Sequence, residues 1–479
     1  MLFNSIDFAI FFPIVAILYL FSPAQLKIYV LLASSCLFYM AFVPQYIVIP
    51  AVTILVVYYA AIGIENGRPA FRKYYLAAGI LVPCLMLAFF KYAGFISSNV
   101  MSAARAAGWE TSDIVLQIIL PIGISFYTFQ SLSYVVEVYR GHQKAERNFT
   151  VLATFVMFFP QLVAGPIERP QNLLHQFRVV HSVEYERITS GLKRMALGFF
   201  KKLVVADLLA IYVNDVYAAP RDYNGLQLTI ATVFFAYQIY CDFSGYSDIA
   251  VGAARVMGFR LMENFRAPYH AASIREFWQR WHISLSTWFR DYVYIPMGGS
   301  RVGGRRLFWN ILATFAISGL WHGANWTFVA WGVLNGVYVL IEIMTTNMRD
   351  RIWSVVRVSE SSVVRRTTGV VVTFLLTCVA WIFFRSQNFD DAWYILSHLG
   401  TNWDFGAIRT PHFLLRQMPV ALGGVLFVEL INVVQSRMSV TKVVSRAPLA
   451  MRWALYLGIL FAVIFFGVYQ ETQFIYFQF

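Results

Sequence analysis

An all-α bundle of membrane-spanning helices is the fold this sequence predicts, on three observations. Of its 479 residues, 59% are hydrophobic and only 13% are charged, against roughly 25% charged in a soluble domain. Apolar stretches recur from Ile6 to Val468, many near the ~20 residues that carry a helix across a bilayer. These runs are continuous, whereas a membrane β-barrel alternates apolar and polar residues. The N-terminus "MLFNSIDFAI" has neither a basic leader nor a small-residue cleavage site, so no cleaved signal peptide is expected.

The formal net charge is +13. In a soluble protein that would suggest nucleic acid. In a membrane protein the plainer source is the excess of Lys and Arg in cytoplasmic loops, so membrane lipid rather than nucleic acid is the expected surrounding. Basic residues concentrate in 65–75, 139–147, 168–202, 255–306, 348–366 and 436–452, and all six segments are assigned to the cytoplasm. No basic residue precedes Lys27, which assigns the N-terminus to the side opposite the basic loops.

The crossings then follow in order. Three, near 6–22, 26–43 and 46–63, lead to the first basic loop, and 75–95 leads back out. The segment 150–167, "TVLATFVMFFPQLVAGPI", has basic loops on both sides and contains Pro160, Gly165 and Pro166. It is expected to be re-entrant, its broken backbone covered by protein. The segment 308–345 likewise begins and ends beside basic loops, so it is expected to form a hairpin with "GLWHGANW" (319–326) as a buried turn. Crossings near 203–219, 225–254, 367–384, 417–435 and 453–470 complete the chain and bring the C-terminus outside, opposite the basic loops.

The whole chain, 1–479, reads as one integral membrane domain closed by an aromatic tail, 471–479. No internal repeat, low-complexity segment or pair of inverted halves is evident. Cys36, Cys84, Cys241 and Cys378 all lie in apolar segments. They show no metal-ligand spacing and read as small buried hydrophobes. No metal is expected.

Histidine placement is the best lead to chemistry. His142, His175 and His181 fall in basic loops, His398 and His412 in the outer region, and His270 in a loop. His282 and His322 differ, because apolar, tryptophan-rich sequence surrounds each. An ionisable group at membrane depth is a functional hypothesis by default, and a neutral imidazole is a natural general base. For His322, in "SGLWHGANW", this outweighs the plainer role of a hydrogen-bonded structural histidine. His282 lies in "REFWQRWHISLSTWFRDYVYIPMGG" (275–299). Read as one helix, this stretch places Trp278, Trp281, Leu285, Trp288, Phe289 and Tyr292 on an apolar stripe. It fits an interfacial helix in which His282 is incidental, and equally a re-entrant helix lining a funnel.

Arg255, Arg260, Arg266, Arg301, Arg305 and Arg306 give a solvated basic face, some of which would suit the phosphates of a nucleotide-like donor. Asp242 and Asp248, in an apolar helix, need partners and are expected to pair with arginines.

"FWQRWHISLSTWFRDYVYIPMGG", "GLWHGANWTFVAWG", "LPIGISFYTFQSLSYVVEVYRG", "YCDFSGYSDIAVG" and "FFPQLVAGPIERP" together resemble the membrane-bound O-acyltransferase family. They are closest to the branch that O-acetylates bacterial polysaccharides, itself related to the D-alanyl transfer proteins. Gln279 stands where that family usually has the first of two arginines, and both signature histidines are intact at His282 and His322. The resemblance implies a helical bundle with re-entrant helices and a central tunnel. It implies a membrane acyltransferase that moves acetyl groups from cytoplasmic acetyl-CoA across the bacterial inner membrane. A periplasmic acetyltransferase of the SGNH type would then modify an exopolysaccharide such as alginate or cellulose. The tail "FIYFQF" resembles a C-terminal aromatic motif of such systems whose tyrosine, here Tyr476, is a proposed acyl carrier. Donor contacts are expected from Arg280, Trp281, Arg305 and Arg306. Transfer of D-alanyl or another acyl group to an envelope polymer, and a non-enzymatic export role, are the alternatives.

Overall fold

The structure, a computed structural model, describes residues 1–109, 118–359, 361–404, 417–438, 440–469 and 475. Every regular element among them is helical. Six helices are long and apolar enough to cross a membrane, and Ile6–Phe21 and Ala24–Met40 are shorter apolar helices. This is a multi-pass membrane protein with the expected all-α architecture. The described chain falls into two compact units.

The first unit comprises 1–195 and 249–262. Its opening helix shows how lipid and core divide one surface. Ser5 caps it by accepting the Phe8 N–H at 3.2 Å, as serine does at helix starts. Phe8, Phe12, Val15 and Tyr19 are buried, whereas Ile6, Ile10, Ile14, Ile17 and Phe21 are exposed. A spacing of three to four residues puts the exposed set on one face, where acyl chains replace water. Val48–Asn66 packs against both Arg72–Ala106 and Ile124–Tyr139. At the junction, a Cβ on Gly79 would lie 2.9 Å from Val135 and 3.1 Å from Ala60, so only glycine permits this approach.

The backbone break expected in 150–167 is present. Helix Phe149–Met157 stops before Pro160, and a four-residue helix, Phe159–Leu162, follows. The break is buried in protein. Glu168, just after it, is fully buried and accepts the Met262 N–H.

The second unit comprises 196–248 and 263–479. The predicted hairpin is formed by Gly304–His322 and Trp326–Met344, which pack along their length. Val363–Arg385 packs on the second of them. A π-helical segment, Phe200–Ala206, receives Met418–Arg437 and Leu449–Phe466. The latter helix carries no buried residue, which suits a lipid-exposed position.

Two expectations are corrected in this unit. Asp242 and Asp248 pair with lysines, not arginines: Lys202 Nζ lies 2.7 Å from Asp242 and Lys201 Nζ 2.7 Å from Asp248. Lys201 and Lys202, assigned above to a cytoplasmic loop, are therefore buried. A buried carboxylate needs a countercharge, and helical register at 200–206 turns these two residues inward.

Candidate active site

The first histidine is set by a helix break. Ser273 accepts the Glu276 N–H at 3.2 Å, and the Glu276 carboxylate accepts the Ala272 N–H at 2.6 Å. This reciprocal arrangement is of the capping-box kind, and it starts helix Ile274–Arg280. The helix then stops. His282 has φ 42° and ψ 56°, the left-handed region that non-glycine residues enter only at a cost. A second helix, Ile283–Phe289, starts after it.

The expected single helix over 275–299 is thus overturned, and Asn264 supplies the physical reason. Its carbonyl accepts the Ile283 N–H at 3.0 Å and its side-chain oxygen accepts the Ser284 N–H at 3.3 Å. Those two donors would otherwise be orphans at a helix start. Asn264 therefore holds the chain in the turn that aims the His282 ring.

The second histidine is set by close helix packing. A Cβ on Gly319 would lie 2.2 Å from the Phe328 carbonyl oxygen, and one on Gly332 would lie 2.3 Å from that of Phe315. Small residues let the hairpin close in this way. Asn325 caps the second arm by accepting the Thr327 N–H at 3.1 Å, and its amide donates to the Gln387 carbonyl at 3.0 Å. His322 is the last residue of its helix and is 4% exposed. Its ring sits edge-on to Trp331 at 4.9 Å and to Phe384 at 5.4 Å.

Both histidines meet one tryptophan. The Trp321 ring lies 4.9 Å from the His322 ring and 6.4 Å from the His282 ring. His282 is fully buried and packs edge-on to Phe243 at 4.5 Å. Two imidazoles from segments forty residues apart in sequence therefore share an aromatic, water-poor environment. Among the described residues no group of three or more His, Cys, Asp or Glu is placed to hold a metal ion.

His282 lies in the turn between two short helices, outside the candidate spans, and burial pushes its imidazole down to about 3. The ring is neutral at working pH. In the unfolded chain it would take up a proton near pH 6.5. Stability is therefore lost as pH falls below about 6.5 towards 3, by up to about 1.4 kcal/mol per pH unit for this group. His282→Gln should flatten the dependence of the denaturation midpoint between pH 6.5 and 5. An unchanged slope would contradict neutral burial. The same variant should also slow acyl transfer if the ring serves the reaction.

The expected donor contacts divide. Trp281 is buried among aromatic rings, 5.5 Å from Phe277 and 5.0 Å from Trp381. Arg280 pairs with Glu276 at 2.6 Å. Arg305 and Arg306 lie in the first turn of the helix that ends at His322, about 25 Å away at 1.5 Å per residue. They are exposed, and Arg306 donates to the Met297 carbonyl at 3.2 Å. At that distance they suit the remote phosphates of a donor and not its reacting carbonyl. Arg305→Glu/Arg306→Glu should raise the KM for a phosphate-bearing acyl donor several-fold with kcat little changed. Inverted or failed insertion would instead mark these residues as topological signals.

Tyr476 and His412 lie outside the described residues. Asn264, Phe243 and Trp321 were not singled out by sequence reasoning. Trp321 adjoins His322 in the quoted motif, but no local signal marks Asn264 as the residue that shapes a turn eighteen positions later.

The membrane-bound O-acyltransferase family model matches residues 142–380. The chain is 38% identical over 397 residues to the probable alginate O-acetylase AlgI of Azotobacter vinelandii, a match spanning 82% of this chain and 77% of that protein. It is 31% identical over 402 residues to the peptidoglycan O-acetyltransferase of Helicobacter pylori, spanning 78% and 74%. It is 27% identical over 289 residues to the teichoic acid D-alanyltransferase of Bacillus subtilis, spanning 56% and 69%.

Proposed function

The chain belongs to the membrane-bound O-acyltransferase family, and from that premise we propose that it passes acetyl groups from cytoplasmic acetyl-CoA across the inner membrane. The acceptor system is a periplasmic SGNH-type acetyltransferase that modifies an exopolysaccharide of the alginate or cellulose kind. The observation that carries the reading is the pair of buried histidines flanking Trp321. The relatives named as O-acetylases support acetyl as the group transferred, and the more distant D-alanyltransferase keeps the transfer of other acyl groups open to test.

Coenzyme A is polyanionic and does not cross a bilayer, so only the acyl group has to move, along a tunnel through the bundle. In this reading the Tyr476 hydroxyl attacks the thioester carbonyl. A phenol of pKa ~10 is protonated at neutral pH, so a base must take its proton, and His322 is that base. His282 donates its one N–H to the carbonyl oxygen as negative charge develops there. The C–S bond breaks, the thiolate takes the proton back from His322, and an aryl acetate remains on the tail. Its phenolate leaves more readily than an alkoxide, so the partner's serine accepts the acetyl group downhill. An apolar surrounding limits hydrolysis meanwhile. Both termini then lie on the periplasmic side, where the tail meets the partner.

Intact-mass measurement after incubation with acetyl-CoA tests this directly. Wild-type protein should gain the mass of one acetyl group and lose it when the partner is added. Tyr476→Phe should gain none and should support no polymer acetylation, although it deletes one hydroxyl and little packing surface. Full polymer acetylation by Tyr476→Phe would return the tail to the plainer role of an aromatic anchor at the membrane interface.

A further inference from the structure

The second unit buries a cluster of three charges that takes no part in the mechanism above. Lys202 Nζ lies 2.8 Å from Asp207 and 2.7 Å from Asp242. Lys202 is 2% exposed, and both aspartates are 3% exposed. One cation thus serves two carboxylates. A buried carboxylate is tolerated only when donors satisfy its remaining oxygen. Here that donor comes from the far end of the chain. The Ile475 backbone N–H donates to the second Asp242 oxygen at 2.9 Å, and Ile475 itself is 2% exposed.

A second contact pins the same stretch. The Val468 N–H donates to the Leu203 carbonyl at 3.1 Å. Leu203 lies in the π-helical segment Phe200–Ala206, which also carries Lys202. Segments of this kind are rare and are found disproportionately at functional sites. The segment therefore holds the C-terminal stretch twice: at Val468 directly, and at Ile475 through Lys202 and Asp242. An aromatic membrane anchor requires neither contact, because lipid alone would retain it.

We propose that Asp242, paired with Lys202, is the docking point of the C-terminal stretch: its carboxylate captures the Ile475 N–H and so fixes the backbone immediately before Tyr476. Asp242 is then a positioning residue, and its consequence for transfer rests on the carrier reading given above. A bond to a charged acceptor is among the stronger kinds, and its loss should shift the docked population about tenfold.

The test is a double-mutant cycle in the purified full-length protein, using Asp242→Asn and Ile475→Pro. The first variant removes the charge of the acceptor. The second removes the donor N–H and leaves the three-charge cluster intact, so it reads the same bond even if Asp242→Asn folds poorly. Release of C-terminal residues by carboxypeptidase should accelerate about tenfold in each single variant and no further in the double variant. Acetyl loading should fall in kcat with an unchanged KM for acetyl-CoA, because the donor site is intact. Tail release at the wild-type rate in Asp242→Asn, or effects that multiply in the double variant, would overturn the docking. Accelerated release with wild-type polymer acetylation would uphold the docking and sink the carrier reading instead.

Discussion

His322→Ala should lower acetyl transfer by about 100-fold or more, the usual contribution of a positioned general base. The protein should still insert and bind its partner, because the histidine ends a helix whose packing is made by Gly319, Gly332 and their carbonyl neighbours. Alanine leaves a void among Trp321, Trp331 and Phe384, so His322→Gln, closer in volume, should accompany it. Both variants should lose activity, and the glutamine should retain more of the thermal midpoint. Single-turnover acetylation of the tail, measured by mass, separates the chemical step from partner exchange. Near-normal rates in a well-expressed His322→Gln protein would remove His322 from the base role.

Lys202→Met should be the most destabilising single change in the second unit. It strips the cation from two carboxylates that are each within 2.8 Å of it. Removing one partner of a buried ion pair costs about 3–5 kcal/mol, because the remaining charge stays buried without compensation. The yield of folded protein in detergent should collapse. Lys202→Met/Asp207→Asn/Asp242→Asn, which removes all three charges together, should recover much of the loss, since neutral replacement of a whole buried cluster is often nearly neutral in stability. A wild-type denaturation midpoint for Lys202→Met would show that the cluster is not the compensated unit described here. Asp242→Asn alone should be milder. Lys202 keeps Asp207, although the bond from Ile475 loses its charged acceptor.

Much of the architecture was legible because a bilayer imposes a simple length rule on apolar runs. The spans read near 6–22, 26–43, 46–63 and 367–384 correspond to Ile6–Phe21, Ala24–Met40, Val48–Asn66 and Val363–Arg385. The hairpin with its turn at "GLWHGANW" and the break near Pro160 were also legible, because glycine and proline punctuate a helix by local sterics. Where the outcome depended on partners distant in sequence, local pattern misled. The stripe over 275–299 has a good helical period, yet Asn264 holds the chain in a turn at His282. Lys201 and Lys202 look like loop residues beside a basic segment, yet Asp248 and Asp242 draw them inward.

The sequence by itself determined that this is a helical membrane protein, roughly where many of its apolar helices fall, and which histidines, His282 and His322, to weigh for chemistry. Those properties depend on hydrophobicity and residue identity, which are carried position by position. Tertiary structure alone decided that both imidazoles face Trp321, that His282 is neutral and fully enclosed, and that Ile475 bonds to Asp242. Each of those depends on groups forty to more than two hundred residues apart being brought within van der Waals or hydrogen-bonding distance. Only packing of the folded chain sets such distances, because local backbone preference extends no further than a few residues.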